Sequence, residues 1–260
     1  MKCRLIPGLC ALLLIAGCGT EAGNDPVTMR VAVGSSATPL MDDLLSAYDR
    51  VAPHVSFEIT HGNAETLQGA LAGGTAEWGL TTYLPPGSDL WSAPVGTDAL
   101  IIVVHPQNPL HEITLGQLRA IYQGRVVTWA ESESFIVVVS REPGSAARGV
   151  FDERVMSNLP TTPNARLVTS SSAVIDMVAQ QPDAIGYVSL AYLDSRVQAL
   201  ALDGITSTPD SIVSGRYPLT SAVTFTALDQ PTGPAEDLLT WLLSDDGQAV
   251  VGQHYTPLAR

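Results

Sequence analysis

The sequence predicts an α/β protein with open sheets, built from one or two domains. From Val27 onward, short runs rich in β-branched residues alternate with segments in which apolar residues recur at helical spacing. This alternation is typical of α/β folds. The chain has 260 residues, of which 45% are hydrophobic and 15% charged, which is enough for one or two cores at roughly 100 to 200 residues per domain.

The first 18 residues, MKCRLIPGLCALLLIAGC, have the form of a secretory signal, with a basic start, an apolar stretch and small residues at the end. The apolar stretch is shorter than the roughly 20 residues of a membrane-spanning helix. Its end, LIAGC, resembles the lipobox of bacterial lipoproteins, which implies that Cys18 is lipidated. We therefore expect a signal peptide over residues 1–17, a lipid-anchored tether over residues 18–26, and an extracytoplasmic protein that contacts the bacterial cell membrane only through this lipid.

Composition excludes several classes of partner. A net charge of −13 without any basic run argues against binding to nucleic acid or to an anionic membrane surface, because both are bound through clustered cations. Cys3 and Cys10 fall inside the expected signal peptide, so neither a disulfide framework nor a cysteine metal site is expected. The five histidines are scattered without metal-ligand spacing. We expect no metal and no cofactor.

Strands and helices follow in order along the chain. β-Rich runs predict strands at residues 29–33, 55–60, 99–104, 135–139, 166–169, 185–188 and 222–227. Apolar residues at helical spacing predict helices that include residues 40–48, 67–71, 147–155 and 238–243. Such stripes usually face a core, and we expect them to do so here.

Three predicted units run from a strand into a short polar loop and directly into a helix: VAVGSSATPL (31–40), FEITHGNAETL (57–67) and FIVVVSREPGSAARGVF (135–151). Thr38 before Pro39, Asn63 and Ser145 are the expected N-caps. A helix N-terminus presents unsatisfied N–H groups and the positive end of a dipole, so each loop is a candidate anion site. In open α/β sheets such loops lie at the carboxyl ends of the strands, where ligands bind.

The third loop, REPGSAAR at residues 141–148, resembles the Arg-x-x-Gly-Ser-Gly-Thr-Arg stretch of phosphate-specific substrate-binding proteins of ABC transporters. Residues 92–129, 182–193, 217–226 and 246–258 resemble the same family in order and spacing. The resemblance implies a type II periplasmic-binding-protein fold, in which two α/β domains joined by two crossings close on a ligand cleft. It predicts crossings near residues 97–101 and 201–217, with a discontinuous domain I of residues 27–99 and 208–260 and a domain II of residues 100–207.

The resemblance also implies a ligand-binding set, carried over position by position. The set consists of Arg141, Ser145, Ala146, Ala147, Ser36, Ala37, Asn63 and Thr82. Arg141 and Ser145 match the family, and a guanidinium supplies full charge and paired N–H donors. Ala146 and Ala147 stand where the family has Gly and Thr, which keeps two backbone N–H groups and removes one hydroxyl. Asn63 stands where the family has Ser.

Thr82 is the main departure, because the family usually has an acidic residue there. A carboxylate accepts a hydrogen bond from the proton that phosphate carries near neutral pH, which lets such a site prefer phosphate over sulfate, whereas a threonine hydroxyl can accept or donate. The changed positions therefore keep sulfate, molybdate, tungstate or a small organic anion as alternative ligands. Asp89 or Glu142 could supply the carboxylate instead, although we expect both to be solvated surface charges.

The function implied by the resemblance is capture of inorganic phosphate and its delivery to an ABC permease by a monomer without catalysis. A scavenger or sensor that works without a transporter would use the same cleft and stays an alternative. A hydrolase with Ser145 as nucleophile would need the Gly-x-Ser-x-Gly turn, and Pro143 and Ala147 stand in place of its two glycines. We therefore expect no enzyme.

Overall fold

The structure is a computed structural model that describes residues 25–130 and 133–258. The expected signal peptide, the expected lipidation site Cys18 and nearly all of the expected tether lie outside the described residues. Within the two described ranges, no helix is both long enough and apolar enough to cross a membrane.

Strands and helices alternate along the described chain. The strands are β1 (Val27–Gly34), β2 (Val55–Gly62), β3 (Trp78–Thr81), β4 (Trp91–Val104), β5 (Glu112–Ile113), β6 (Val137–Arg141), β7 (Arg166–Val168), β8 (Ala184–Ser189), β9 (Gln198–Ala199), β10 (Ala201–Leu202) and β11 (Thr220–Ala227). The α-helices are α1 (Thr38–Tyr48), α2 (Ala64–Ala72), α3 (Leu115–Tyr122), α4 (Ala146–Phe151), α5 (Ser171–Gln180), α6 (Pro209–Val213), α7 (Pro234–Leu242) and α8 (Asp245–Val251). Short 3-10 turns cover Ser35–Ala37 and Leu190–Tyr192, and a π-helical turn, Asp152–Met156, continues α4.

The first lobe is built on strands β2, β1, β3 and β11 and the first part of β4. β1 lies between β2 and β3 and runs parallel to both, whereas β11 runs antiparallel between β3 and β4. Because β1, β2 and β3 are parallel, their carboxyl ends at Gly34, Gly62 and Thr81 share one edge of the sheet. The loops that follow these residues therefore start side by side.

The second lobe continues the same sheet with the last part of β4 and with β8, β6 and β7. β8 runs antiparallel to β4, while β6 runs parallel to both β8 and β7. The carboxyl ends of these three parallel strands, at Ser189, Arg141 and Val168, again share one edge. Each is followed by a helical turn, so the second lobe presents its own row of loops.

Strand β4 joins the lobes, because residues 91–99 pair with β11 and residues 100–104 pair with β8. The lobes have separate apolar cores, and the core of the second also contains Ile212, Tyr217 and Leu219. The Tyr217 hydroxyl donates to the Leu100 carbonyl oxygen at 3.0 Å. We propose that the chain returns to the first lobe near Thr220, later than the residue 208 that the resemblance suggested.

Each of the seven predicted strands is present with shifted bounds. The segment predicted at 135–139 forms β6 two residues later, and the one predicted at 99–104 is the second part of a strand that starts at Trp91. β3 was not predicted, although all four of its residues are buried. A four-residue strand buried on both faces lacks the alternation that identifies a strand in sequence.

Two of the three predicted N-caps are confirmed. Asn63 Oδ1 accepts the Thr66 N–H at 2.9 Å, and Ser145 Oγ accepts the Arg148 N–H at 3.5 Å. The prediction for Thr38 is wrong: the 3-10 turn at Ser35–Ala37 runs straight into α1, so Thr38 is already helical and no side chain caps the helix. The backbone groups that a cap would bind are partly used by the preceding turn.

The core of the first lobe depends on Phe225, whose ring stacks on Trp78 with centroids 4.6 Å apart and planes 9° apart. Both side chains are fully buried. We expect Phe225→Ala to lower the free energy of unfolding by about 3 to 5 kcal/mol through lost burial and a residual cavity. Urea unfolding measures this. Phe135→Ala is the matched control, since that ring is 76% exposed, and a comparable loss there would contradict the argument.

Candidate functional site

Arg141 is the centre of the candidate site and has no solvent exposure. It is the last residue of β6, where the edge of the second lobe meets the first. Its Nη1 donates to Ser171 Oγ at 3.1 Å, and its Nη2 donates to Ser35 Oγ at 3.2 Å. A guanidinium has five N–H groups. Among the described residues, Nη1 has Ser171 as its hydrogen-bond partner, which leaves its second N–H for a ligand.

Glu142 balances the charge of this arginine. Arg141 Nε and Nη2 donate to the two oxygens of the Glu142 carboxylate at 2.9 and 3.0 Å. The Glu142 side chain is 24% exposed, so the expectation of a solvated surface charge is wrong. A buried cation without a counter-charge is strongly unfavourable, and the neighbouring residue supplies that counter-charge. Asp89, in contrast, is exposed as expected.

The first loop reaches Arg141 across the boundary between the lobes. Besides the Ser35 hydroxyl, which accepts from Arg141, the Ser35 carbonyl oxygen accepts the Tyr192 hydroxyl at 2.7 Å. Tyr192 belongs to the turn that follows β8 in the second lobe. Two side chains of the second lobe thus hold the backbone and the side chain of one serine in the first.

Ser36 and Ala37, the residues that the resemblance selected in this loop, are fully buried. The Ser36 carbonyl oxygen accepts the Tyr255 hydroxyl at 2.5 Å. Its own hydroxyl is buried without a hydrogen-bond partner in the described structure. Since a buried hydroxyl without a partner costs free energy, Ser36 Oγ is a polar group available to a ligand.

The second and third loops contact each other directly. The Ala64 N–H, at the start of α2, donates to the Gly144 carbonyl oxygen at 2.9 Å. Gly144 has φ of +84°, and a Cβ there would lie 2.9 Å from Asn63 Nδ2, so the close approach needs glycine. Asn63 is half-buried and uses its oxygen as a helix cap, which leaves its amide N–H groups beside the third loop.

The remaining predicted residues line these loops. Ser145, Ala146 and Ala147 are buried at the start of α4. Thr82 is 2% exposed and follows Thr81, which contacts Gly34 at the end of β1. The described residues provide no hydrogen-bond partner for the Thr82 hydroxyl. The structure therefore brings loops one and three together through Arg141 and loops two and three together through Gly144, with Thr82 beside the first loop.

Three residues of this network were not predicted: Ser35, Ser171 and Tyr192. Ser171 follows β7 in the run SSSAVIDMV, which is a fourth strand–loop–helix unit with Ser170 as N-cap. That pattern was a usable signal. Ser35 and Ser36 are adjacent and chemically identical, so the sequence alone gives no reason to prefer either as the partner of Arg141.

Asp98 is a buried carboxylate at the point where β4 crosses between the lobes. Its Oδ1 accepts the Ser189 hydroxyl at 2.9 Å and the Ala99 N–H at 2.8 Å. Burial raises the pKa of Asp98 from its ordinary 3.8 to about 7, against the lowering effect of these hydrogen bonds. Burial is the main cause of the raised pKa values of Tyr192 and Tyr255, the two residues that hold the first loop, and the charge of Asp98 adds to it.

No group of three or more His, Cys, Asp or Glu side chains in the described ranges could hold a metal ion. The groups at and around Arg141 include hydrogen-bond donors: one guanidinium, several hydroxyls and the N–H groups of helix starts. Such a set binds oxyanions.

A family model described as a PBP superfamily domain matches residues 20–246 of this chain. The chain belongs to the PBP superfamily. Among similar proteins is the phosphate-binding protein PstS of Bacillus subtilis, 26% identical over 255 residues, with 92% of this chain and 83% of that protein covered. The protein of the same name from Pseudomonas aeruginosa is 27% identical over 265 residues, with 87% and 82% covered.

Solved structures agree with this membership of the PBP superfamily. A phosphate ABC transporter substrate-binding protein from Clostridium perfringens with bound phosphate superimposes with a TM-score of 0.83 at 26% identity, covering 90% of this chain and all of that one. An ABC-type phosphate transport receptor from Vibrio cholerae has a TM-score of 0.74 at 23% identity and covers 89% of this chain. The α/β fold with two lobes, expected from the sequence, is confirmed.

The raised pKa of Asp98 predicts a pH-dependent stability. Between pH about 4 and about 7 the folded state binds a proton at Asp98 that the unfolded state releases, so stability falls as pH rises through this window. Asp98→Asn removes this dependence and keeps the acceptor oxygen. We expect the free energy of unfolding of the unmodified protein, relative to this variant, to decline across the window and to level off above it.

Urea titrations at several pH values between 4 and 8 measure this difference at each pH. Asp89→Asn is the control, since it removes one carboxylate at an exposed position and changes the net charge equally. A constant difference between the unmodified protein and Asp98→Asn at every pH would contradict the buried-carboxylate explanation.

Proposed function

We propose that this protein binds inorganic phosphate in the cleft between its lobes and delivers it to an ABC permease, without catalysis of its own. The observation that carries the proposal is the fully buried Arg141 at the junction of the lobes, with one N–H left for a ligand. Similar proteins from Bacillus subtilis and Pseudomonas aeruginosa are named phosphate-binding proteins, and the similar structure from Clostridium perfringens has bound phosphate.

The donors around Arg141 suit a tetrahedral oxyanion. The buried Ser36 hydroxyl lacks a partner, the Ser145 hydroxyl lies at the start of α4, and Ala146 and Ala147 add backbone N–H groups there. A phosphate oxygen accepts several hydrogen bonds, so one anion can satisfy donors from both lobes together. Ligand binding would thereby favour the closed arrangement of the lobes.

The amino-terminal sequence and the comparisons support a proposal for the location. We propose that Cys18 carries the lipid that holds the protein on the outer side of the cytoplasmic membrane or in the periplasm, next to its permease. The first strand starts at Val27, and we propose that residues 18–26 form the tether. We also propose that the protein works as a monomer, since one chain supplies all the donors of the candidate site.

A second candidate is the same fold with another oxyanion, such as sulfate, molybdate or tungstate. Thr82 favours it, because the hydroxyl provides a donor where the related proteins usually provide an acidic acceptor. Sulfate has no proton to donate near neutral pH, so a site with donors alone accepts it. The two candidates differ in whether phosphate or a fully ionised oxyanion binds more tightly.

Titration calorimetry of the soluble body with phosphate, sulfate, molybdate and tungstate tests both candidates. We expect phosphate to bind, and Arg141→Ala to weaken binding by about a hundredfold or more because a charged donor is lost. Arg141→Lys keeps the charge but lacks the planar guanidinium, so its affinity for phosphate should fall between those of the unmodified protein and Arg141→Ala. Arg125→Ala is the matched control, since it removes one exposed arginine and changes the net charge equally.

The outcomes of this titration distinguish the two candidate functions. Binding of sulfate or molybdate in place of phosphate would support the second candidate, and the absence of any oxyanion binding would contradict both. Unchanged phosphate affinity in a folded Arg141→Ala protein would place the site elsewhere. Urea unfolding of each variant shows whether the protein is folded before the affinity is interpreted.

The unpartnered hydroxyl of Ser36 gives an independent prediction. We expect Ser36→Ala to weaken phosphate binding by about tenfold, which corresponds to one hydrogen bond to a charged group. In the same variant the stability of the phosphate-free protein should stay equal or rise slightly, because a buried hydroxyl without a partner is removed. Calorimetry and urea unfolding measure the two effects, and a loss of stability without loss of affinity would contradict this role.

A further inference from the structure

Tyr83 joins the two lobes at a point beside the candidate site. It follows β3 and Thr82 in the first lobe, and its half-buried ring packs against the core of the second lobe. The contact lies on α4, where the ring covers Gly149. A Cβ at Gly149 would lie 2.9 Å from Tyr83 Cζ and closer still to Cδ1 and Cε1. The ring therefore occupies the space that any other residue at position 149 would fill.

A glycine inside a helix is unfavourable by roughly 0.5 to 1 kcal/mol relative to alanine. Gly149 lies in the middle of α4 and is not among the described glycines with a positive φ. No turn therefore requires glycine at this position. In the described structure, the close approach of the Tyr83 ring is what requires glycine at position 149.

Two carboxylates of the second lobe lie near Tyr83. Burial raises the pKa of Tyr83, and the charges of Glu153 and Asp152 raise it further, so the phenol stays protonated. The ring packing on α4 is therefore the contact that joins Tyr83 to the second lobe.

The surface that receives Tyr83 is tied to the candidate site. Arg148, the residue before Gly149, donates from Nη1 to the Arg141 carbonyl oxygen at 2.8 Å. Its Nε also pairs with Asp152 at 3.2 Å. On the other side of the boundary, Tyr83 is adjacent to Thr82. One contact thus connects a site residue of the first lobe to the strand end that carries Arg141 in the second.

We propose that Tyr83 is a positioning residue for ligand binding, whose contact with Gly149 stabilises the closed arrangement of the lobes and so sets affinity. This inference rests on the proposed function, since it concerns the same cleft. The apparent affinity of a two-lobed binding protein scales with the fraction of molecules in the closed, binding-competent state. A contact made only in that state raises affinity without touching the ligand.

Paired substitutions test the contact. We expect Tyr83→Ala to weaken the binding of inorganic phosphate by about tenfold, and Gly149→Ala to do the same by steric overlap. Tyr83→Phe keeps the ring packing, so its affinity for phosphate should stay within about threefold of that of the unmodified protein. In the double variant the overlap is gone, so its affinity should match that of Tyr83→Ala alone.

Gly69→Ala is the control, because a Cβ at this glycine of α2 meets no atom within 4 Å. This substitution should leave the affinity for phosphate unchanged, because the added methyl group enters open space. Affinities come from calorimetry, and stopped-flow release of phosphate should be faster in Tyr83→Ala because the closed state is less stable. Additive effects of Tyr83→Ala and Gly149→Ala, or unchanged affinity in both, would overturn the proposal.

Small-angle X-ray scattering separates this inference from the proposed function. Tyr83→Ala should have a larger radius of gyration than the unmodified protein in phosphate-free buffer, whichever anion the cleft binds. If the unmodified protein binds no phosphate but the variant expands, the proposed ligand fails and the closure role stands. If phosphate binds and both proteins have the same radius and affinity, the closure role fails alone.

Discussion

Burial of a permanently charged guanidinium is the constraint on which the rest of this site depends. Arg141 has no solvent exposure, and a cation removed from water is stable only if nearby groups replace its hydration. The adjacent Glu142, the start of α5 and the Thr169 carbonyl oxygen supply partners from within the second lobe. Ser35 supplies a further partner from the first. One buried side chain of the second lobe is thus hydrogen-bonded to the first lobe as well as to its own.

The topology of the sheet explains why those partners are available. Parallel strands end on the same edge, so β1, β2 and β3 place their loops together in the first lobe, and β6, β7 and β8 do so in the second. β4 belongs to both lobes and runs antiparallel to β8 and β11. It therefore turns the two rows of loops toward a common cleft. Asp98 lies at this crossing and accepts the hydroxyl of Ser189, which precedes the turn that carries Tyr192. Tyr192 in turn donates to Ser35 of the first loop.

Local patterns in the sequence were sufficient for the seven predicted strands and for the N-caps Asn63 and Ser145. These features depend on residues close in the chain, whose alternation and capping are visible in the sequence. Arg141, in contrast, was selected through the family resemblance of its loop. The N-cap prediction for Thr38 was wrong because a 3-10 turn precedes the helix directly, and this turn depends on how the first loop packs. The prediction of a solvated Glu142 was wrong because its ion pair forms only when Arg141 is buried. Tyr83 and Gly149 are 66 positions apart in the numbering, and no local pattern connects them.

The net charge of −13 and a site for an anion are compatible because the forces act over different ranges. Surface charges are screened over a Debye length of about 8 to 10 Å at ordinary salt concentrations. Inside the cleft, Glu142 already neutralises Arg141, so attraction for an oxyanion depends on oriented N–H and O–H groups rather than on net charge. Such a site distinguishes ligands by matching donors to acceptors. We propose that the Thr82 hydroxyl, which can donate or accept, determines whether a proton on the ligand is an advantage.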